Sequence, residues 1–342
     1  MKTRIQKSRS ALRRKKVSAL LITNKINITY LCGFTGSRGH LLITNSKAIL
    51  FTDSRYIERA KYTVPKWIEV RDVTKETWQK TLRTFRISTI GFEGDHVTIN
   101  QLKKFKHLSP RIKFKDISGE IESLRAIKSP QEIRLIKKSQ QINSKTFELI
   151  KKFIQKHQKT RKPLREIDVA WEIKRIGFEL GAEDVSFNPI VAFGKNSAIP
   201  HHKSGQTRLK SNDILLIDMG MKYKGYCSDM TRTILPKSPT KLQKEVYNTV
   251  AQAQKNALHK TKTGLPEQKI DSLARKVIEE AGYGEYFTHG TGHGVGLKIH
   301  ESPSLKEEGT AILKPGMVVT IEPGIYLPGK FGVRIEDIIV LD

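Results

Sequence analysis

The chain has 342 residues, 37% of them hydrophobic, and carries a formal net charge of +28 with a pI near 10.0. That length supports two domains with cores of their own, while the absence of an apolar run of about 18 residues argues against a membrane span. The only cysteines, Cys32 and Cys227, make no disulfide framework and fit a reducing, cytoplasmic setting. The cations are spread along the chain without an aromatic-interleaved platform, so nucleic-acid contact is open but not favoured over a solvated basic surface.

The segment Met1–Lys16 is basic and lacks an apolar stretch of signal-peptide length; Val17–Ile22 reads as the entry to a strand. Ala19–Ile22, Gly39–Ile43, Ala48–Phe51 and Ser88–Phe92 have strand character, and Ser54–Tyr62, Lys75–Phe85 and Ile99–Lys106 have helix character. Their alternation predicts an α/β domain over residues 1–125. Ser129-Pro130-Gln131-Glu132 then sets up a capping box with proline at the first helical position, placing a boundary near Ala126-Ile127-Lys128 and a second domain over 126–342. A second helix is expected from about Pro163, carrying Trp171 and Ile173.

Two hairpins follow, each carrying two acids. Ile214–Met219 and Tyr226–Thr231 flank a turn at Tyr223-Lys224-Gly225; folded about the Tyr223–Lys224 bond, they set Asp218 opposite Asp229. Val318–Glu322 and Val333–Ile339 flank Pro328-Gly329-Lys330; folded about Gly329, they set Glu322 opposite Glu336. Like charges facing each other on a sheet repel, and carboxylates in apolar strands lose solvation. A divalent cation relieves both penalties. Helices at about 240–260 and 267–281 precede the second hairpin as others precede the first, and strand-borne His201 and His300 lie ahead of Asp218 and Glu322. This echo predicts duplicated α-β halves about a pseudo-two-fold axis.

Hard oxygen ligands with one imidazole suit Mn²⁺, Co²⁺, Fe²⁺ or, less typically, Zn²⁺, and four carboxylates suffice for two ions. The imidazole comes from the run His289–Glu301, with three histidines and four glycines; His293, mid-run, is the chosen ligand. The run is neither G-x-G-x-x-G, since Val295 falls where a glycine is needed, nor H-E-x-x-H, since Gly290 follows His289.

With these residues in place, the chain resembles the M24 metallopeptidases of pita-bread fold, within them the Xaa-Pro aminopeptidases and Xaa-Pro dipeptidases. The matching blocks are His289–Glu301, Asn188–Gly194, Ala198–His202, Ile217–Gly220, Gly225–Thr233, Thr320–Tyr326 and Gly332–Asp337. Residues 1–125 more weakly resemble the creatinase/prolidase N-terminal domain, best at Phe51–Tyr56. The resemblance implies an α+β catalytic domain in which Asp218, Asp229, His293, Glu322 and Glu336 hold two divalent ions, manganese first. It implies that His201 and His300 bind substrate and stabilise the tetrahedral intermediate, and that Glu322 shuttles a proton. His202, His289, Tyr326 and Arg334 would line the pocket or support the ligands.

The implied activity is hydrolysis of the N-terminal Xaa-Pro bond by a metal-bridging hydroxide, as an Xaa-Pro aminopeptidase. The alternatives are an Xaa-Pro dipeptidase or a non-catalytic basic binding protein of nucleic acid or ribosomes. A homodimer acting on peptides with proline second is implied as well. The chain stops at Leu341-Asp342, short of a further strand usual in the family, so the last strand is expected to have one neighbour fewer.

Overall fold

A computed structural model of the protein describes residues 1–157, 159–160 and 162–342. It divides into two compact units, Met1–Arg125 and Ala126–Asp342.

The first unit runs α1 (Lys2–Lys15), β1 (Ala19–Ile22), α2 (Lys25–Cys32), β2 (His40–Thr44), β3 (Ala48–Thr52), α3 (Ser54–Thr63), β4 (Glu69–Asp72), α4 (Lys75–Thr84), β5 (Thr89–Phe92), α5 (Ile99–Leu108), β6 (Lys113–Asp116) and α6 (Glu120–Ala126). Its six strands form one mixed sheet in the order β4-β3-β2-β1-β5-β6. The central strands β1, β2 and β3 are apolar and buried, which is why periodicity found them. The flanking strands Glu-Val-Arg-Asp and Lys-Phe-Lys-Asp are short, charged edges and carry no such signal. Helix α1 hides its stripe in a basic run: Ile5, Ser8, Ala11 and Leu12 are buried at helical spacing, but one of the four is a serine.

The second unit holds two halves. The first comprises α7 (Pro130–His157), α8 (Glu166–Glu179), β7 (Asp184–Val185), β8 (Ile190–Phe193), β9 (Leu215–Met219), β10 (Met221–Tyr223), β11 (Tyr226–Cys227) and β12 (Met230–Ile234). The second comprises α9 (Lys241–Lys260), α10 (Glu267–Glu280), β13 (Gly292–Gly294), β14 (Glu301–Leu305), β15 (Val318–Ile321), β16 (Gly324–Leu327), β17 (Phe331–Arg334) and β18 (Asp337–Val340). The expected capping box forms at the head of α7: Glu132 Oε2 accepts from Ser129 N at 2.9 Å. Each half has its own apolar core of helices against hairpin. Ile150, Ile173, Val191 and Ile217 lie in the first, and Val250, Ile270, Ile321 and Val333 in the second.

The duplication is legible bond by bond. At the head of α8, Leu209 N donates to Leu164 O at 2.8 Å, Glu166 N to Thr207 O at 3.1 Å and Ile167 N to Gly205 O at 3.0 Å. At the head of α10, Leu313 N donates to Leu265 O at 2.9 Å, Glu267 N to Ala311 O at 3.0 Å and Gln268 N to Gly309 O at 3.1 Å.

The first hairpin corrects the register expected for it. Thr231, not Asp229, is the partner of Asp218, and Tyr223 pairs with Tyr226. The loop is the two residues Lys224 and Gly225, with φ of 47° and 80°. Two left-handed residues make the primed turn whose twist matches the flanking strands, so the chain reverses between Lys224 and Gly225. The ladder is interrupted at Gly220, where a Cβ would stand 2.2 Å from Ser228 O. Asp229 lies in that gap, diagonal to Asp218 rather than across from it.

In the second hairpin the register is as expected. Gly324 pairs with Arg334 and Ile321 with Asp337, so Glu322 and Glu336 hold opposed positions. Both sit in a break between two ladders and not within strands. His201 and His300 are not on strands either. His201 follows a short 3-10 turn, Gly194–Ala198, and His300 ends a bend just ahead of β14.

Candidate metal centre

The two hairpin breaks face each other and bring the acids together. Asp229 from the first, Glu336 from the second and His293 from β13 present ligand atoms that all lie within 4.8 Å of one another. His293 Nε2 lies 3.5 Å from Asp229 Oδ2 and 3.2 Å from Glu322 Oε1. Its other nitrogen, Nδ1, faces Gly294 O at 3.1 Å; with Glu322 beside Nε2 the pKa of His293 is raised against burial, and loss of the Nε2 proton would free that lone pair for a cation. Thr320 Oγ1 accepts from His293 N at 3.0 Å and donates to Glu322 Oε1 at 3.1 Å, tying ligand loop to acid. Gly292 lets the strands approach this closely, since a Cβ there would lie 2.0 Å from Thr320 O.

Asp218 is turned toward a buried guanidinium. Arg334 Nη2 donates to Asp218 Oδ2 at 2.7 Å, Nη1 to the Tyr326 hydroxyl at 2.6 Å and Nε to Thr231 Oγ1 at 3.1 Å. Thr231 in turn donates to Glu336 Oε2 at 2.7 Å. The Tyr326 oxygen lies 2.8 Å from His289 Nε2, and His289 Nδ1 lies 2.8 Å from Gly290 O. Burial lowers the His289 pKa and so favours the neutral ring; the chain of donors then runs Arg334 to Tyr326 to His289 to Gly290 O.

The electrostatics separate the four carboxyls. Burial, then the charges of Glu336, Asp218 and Glu322, hold Asp229 well above the carboxylate range. Burial, then Glu322 and Asp218, does the same to Glu336. Asp218 is raised by burial, with Arg334 opposing. Glu322 moves the other way: burial would raise it, but the hydrogen bond and charge of His293 take it down to about 2.

A divalent cation fits this site on two observations. Asp218 Oδ1, Asp229 Oδ1 and Glu336 Oε1 are all buried without a hydrogen-bond partner, and a buried carboxylate oxygen left so is costly. The donor set, oxygens with one imidazole, is that of hard and borderline divalent ions.

Of the other expected residues, His300 stacks edge-on against His293 with ring centroids 4.4 Å apart. His201 is exposed beside the site, where its charge bears on His289 and His300. His202 turns away from the acids to Glu166, its Nε2 2.9 Å from Oε2. Sequence reasoning missed Thr231, Thr320, Glu166 and Asp271. The last holds the histidine loop from behind: Asp271 Oδ1 accepts from Thr291 N at 2.9 Å, and Arg275, bound to Asp271, donates to His289 O at 2.9 Å. The available signal was a carboxylate inside a helix's buried stripe, Asp271 beside Ile270, Ala274 and Ile278, and Glu166 beside Val169, Ala170 and Ile173.

Comparison with known proteins agrees over nearly the whole chain. The model of metallopeptidase family M24 matches residues 134–342, and that of the creatinase/prolidase N-terminal domain matches 4–127. The chain is 34% identical over 349 aligned positions to the Xaa-Pro dipeptidase of Pyrococcus furiosus, covering 100% of this chain and 95% of that protein. The solved structure of an Xaa-Pro dipeptidase from Bacillus anthracis superposes with a TM-score of 0.94 at 38% identity, covering 99% of this chain and 94% of the other. That of an X-Pro aminopeptidase from Thermotoga maritima gives 0.87 at 35% identity, covering 97% and 95%. The chain belongs to metallopeptidase family M24, with a creatinase/prolidase N-terminal domain ahead of the peptidase domain.

Proposed function

We propose that this protein hydrolyses the peptide bond between an N-terminal residue and proline, using two divalent ions, manganese first, held by Asp218, Asp229, His293, Glu322 and Glu336. The observation that carries the reading is the set of three unpartnered, buried carboxylate oxygens on Asp218, Asp229 and Glu336, the last two residues clustered with the His293 imidazole. The Xaa-Pro dipeptidases among the relatives support a dipeptide as substrate. The similarity to an X-Pro aminopeptidase supports longer peptides as a second reading.

Bound there, divalent metal supplies Lewis acidity toward the scissile carbonyl and lowers the pKa of water. The protein supplies the rest. Glu322, oriented by the hydrogen bond from Thr320 Oγ1, offers its carboxylate oxygens as acceptors for a proton. His300, whose pKa is lowered by burial and by His293, keeps a neutral ring at the edge of the site from which to hydrogen-bond a substrate oxygen. Arg334 neutralises Asp218 and anchors Tyr326, so the acids keep their places while charge develops. A prolyl amide has no N–H, so a pocket for it needs no acceptor at that nitrogen.

The test is release of the N-terminal residue Xaa from an Xaa-Pro dipeptide and from an Xaa-Pro-Yaa tripeptide, with Mn²⁺, Co²⁺, Fe²⁺ or Zn²⁺ supplied to stripped protein. Dipeptide turnover exceeding tripeptide turnover is expected. Absence of cleavage with all four ions refutes the reading.

A further inference from the structure

We infer that Glu166, the first residue of α8, is a positioning residue that sets the location of His201 by holding the loop on both sides of it. The functional consequence rests on the peptidase reading above, in which His201 meets the substrate. The Glu166 side chain is fully buried. Its Oε1 accepts from Phe193 N at 2.9 Å and Asn196 Nδ2 at 2.8 Å. Its Oε2 accepts from Gly205 N at 3.0 Å and lies 2.9 Å from His202 Nε2. All four partners belong to residues 193–205, and His201 stands between them.

A carboxylate has about four acceptor sites, and here each meets a partner. A glutamate favoured only by the helix dipole needs no such set, because it makes that gain at the surface. A glutamine offers one oxygen, and its NH₂ would face two of the same donors. Two carboxyl oxygens, each with two lone pairs, satisfy both ends of the loop at once. His202 is thereby spoken for: its ring serves the loop, and His201, the residue before it, stays exposed and outside this set of bonds.

The second half provides an internal control. Glu267 occupies the same place at the head of α10, and it too binds the loop beyond a histidine, Oε1 accepting from Ser304 N at 2.8 Å and Oε2 from Ala311 N at 3.0 Å. It reaches no imidazole and serves the loop after His300.

The experiment compares E166Q and E267Q in the full-length, Mn²⁺-loaded protein by amide hydrogen exchange, Mn²⁺ titration and kinetics on an Xaa-Pro dipeptide. Glu166→Gln is expected to speed exchange across 193–205 and leave 301–311 protected; Glu267→Gln is expected to do the reverse. The Mn²⁺ affinity of E166Q should stay within about twofold of wild type while kcat/KM falls about 10–100-fold. In a His201→Ala background E166Q should cost no more than about a further twofold, whereas E267Q should keep its full effect. If E166Q does not fold, His202→Phe removes one of the four partners and should loosen 200–205 selectively. Unchanged protection of the loop, equal loosening of both loops, or full additivity with His201→Ala each overturn the inference. A wild-type protein that cleaves no Xaa-Pro peptide, with loop-specific exchange as described, refutes the function and leaves the positioning role standing.

Discussion

Arg334 from the second hairpin donates to Asp218 from the first, Nη2 to Oδ2 at 2.7 Å, with both residues buried. One pair thus joins the two halves at the point where their acids meet. Removing one partner of a buried ion pair strands the other. In metal-stripped protein near neutral pH, Arg334→Met should lower unfolding free energy by about 3–5 kcal/mol, measured by urea denaturation. Added Mn²⁺ should recover part of that loss. A change below about 1 kcal/mol, the size of an exposed pair, would show that the contact is not the junction described.

Asp229 differs, because its neighbours are acids. Asp229→Asn should abolish Mn²⁺ binding in calorimetric titration and lower kcat/KM at least about 100-fold. The same change should leave the melting temperature of stripped protein equal or higher, since it replaces a buried acid whose ionisation is opposed by burial and by three neighbouring acids. Retained turnover at the wild-type level would remove Asp229 from the centre.

The stabilisation conferred by metal should grow with pH. The raised folded-state values of Asp229 and Glu336 mean that their contribution is fullest below their ordinary values of 3.8 and 4.5, and is lost as pH rises through the folded values. Glu322, taken down to about 2, contributes fully above its ordinary 4.5 and loses that contribution as pH falls through about 2. Above their ordinary values, then, these two carboxyls should contribute less to the stripped protein as pH rises, against the opposite trend of the lowered histidines His40, His289 and His300, and between about pH 5 and 8 the increment from Mn²⁺ should grow, because metal competes with protons for these oxygens. Scanning fluorimetry with chelator and with Mn²⁺ measures both. An increment flat across that range would contradict the burial of the pair.

The turn offers a test remote from the chemistry. Lys224 has a φ of 47° at the first position of a two-residue loop, where asparagine is favoured. Lys224→Asn should stabilise the protein by about 0.5 kcal/mol in urea denaturation with activity unchanged. A loss of stability would mean that the lysine side chain holds the turn.

The two hairpins show how far strand patterns carry. The second could be aligned correctly because Gly329 marks its centre and the apolar residues on both sides agree. In the first, Tyr223, Lys224 and Gly225 allowed more than one reversal point, and a shift of two residues keeps every side chain on its own face. The alternation therefore could not choose, and the turn dihedrals did. That same shift leaves Asp218 and Asp229 on one side, so the pairing of the two acids on one face did not depend on the choice. His202 and Glu166 illustrate the other limit: they are 36 residues apart, and nothing in either local pattern announces their bond.

By itself the chain determined its α/β and duplicated halves, the identity of the clustered acids and histidines, and the family to which they belong. Local propensity and residue chemistry are written in short windows. Only the packing of one half against the other decided that Asp229 and Glu336 crowd within reach of His293 and that Arg334 is spent on Asp218, and only the fold of the first half brought His202 to Glu166. Those outcomes depend on distances between segments far apart in the chain, and on burial, which turns ordinary carboxylates into groups that hold their protons or seek a cation.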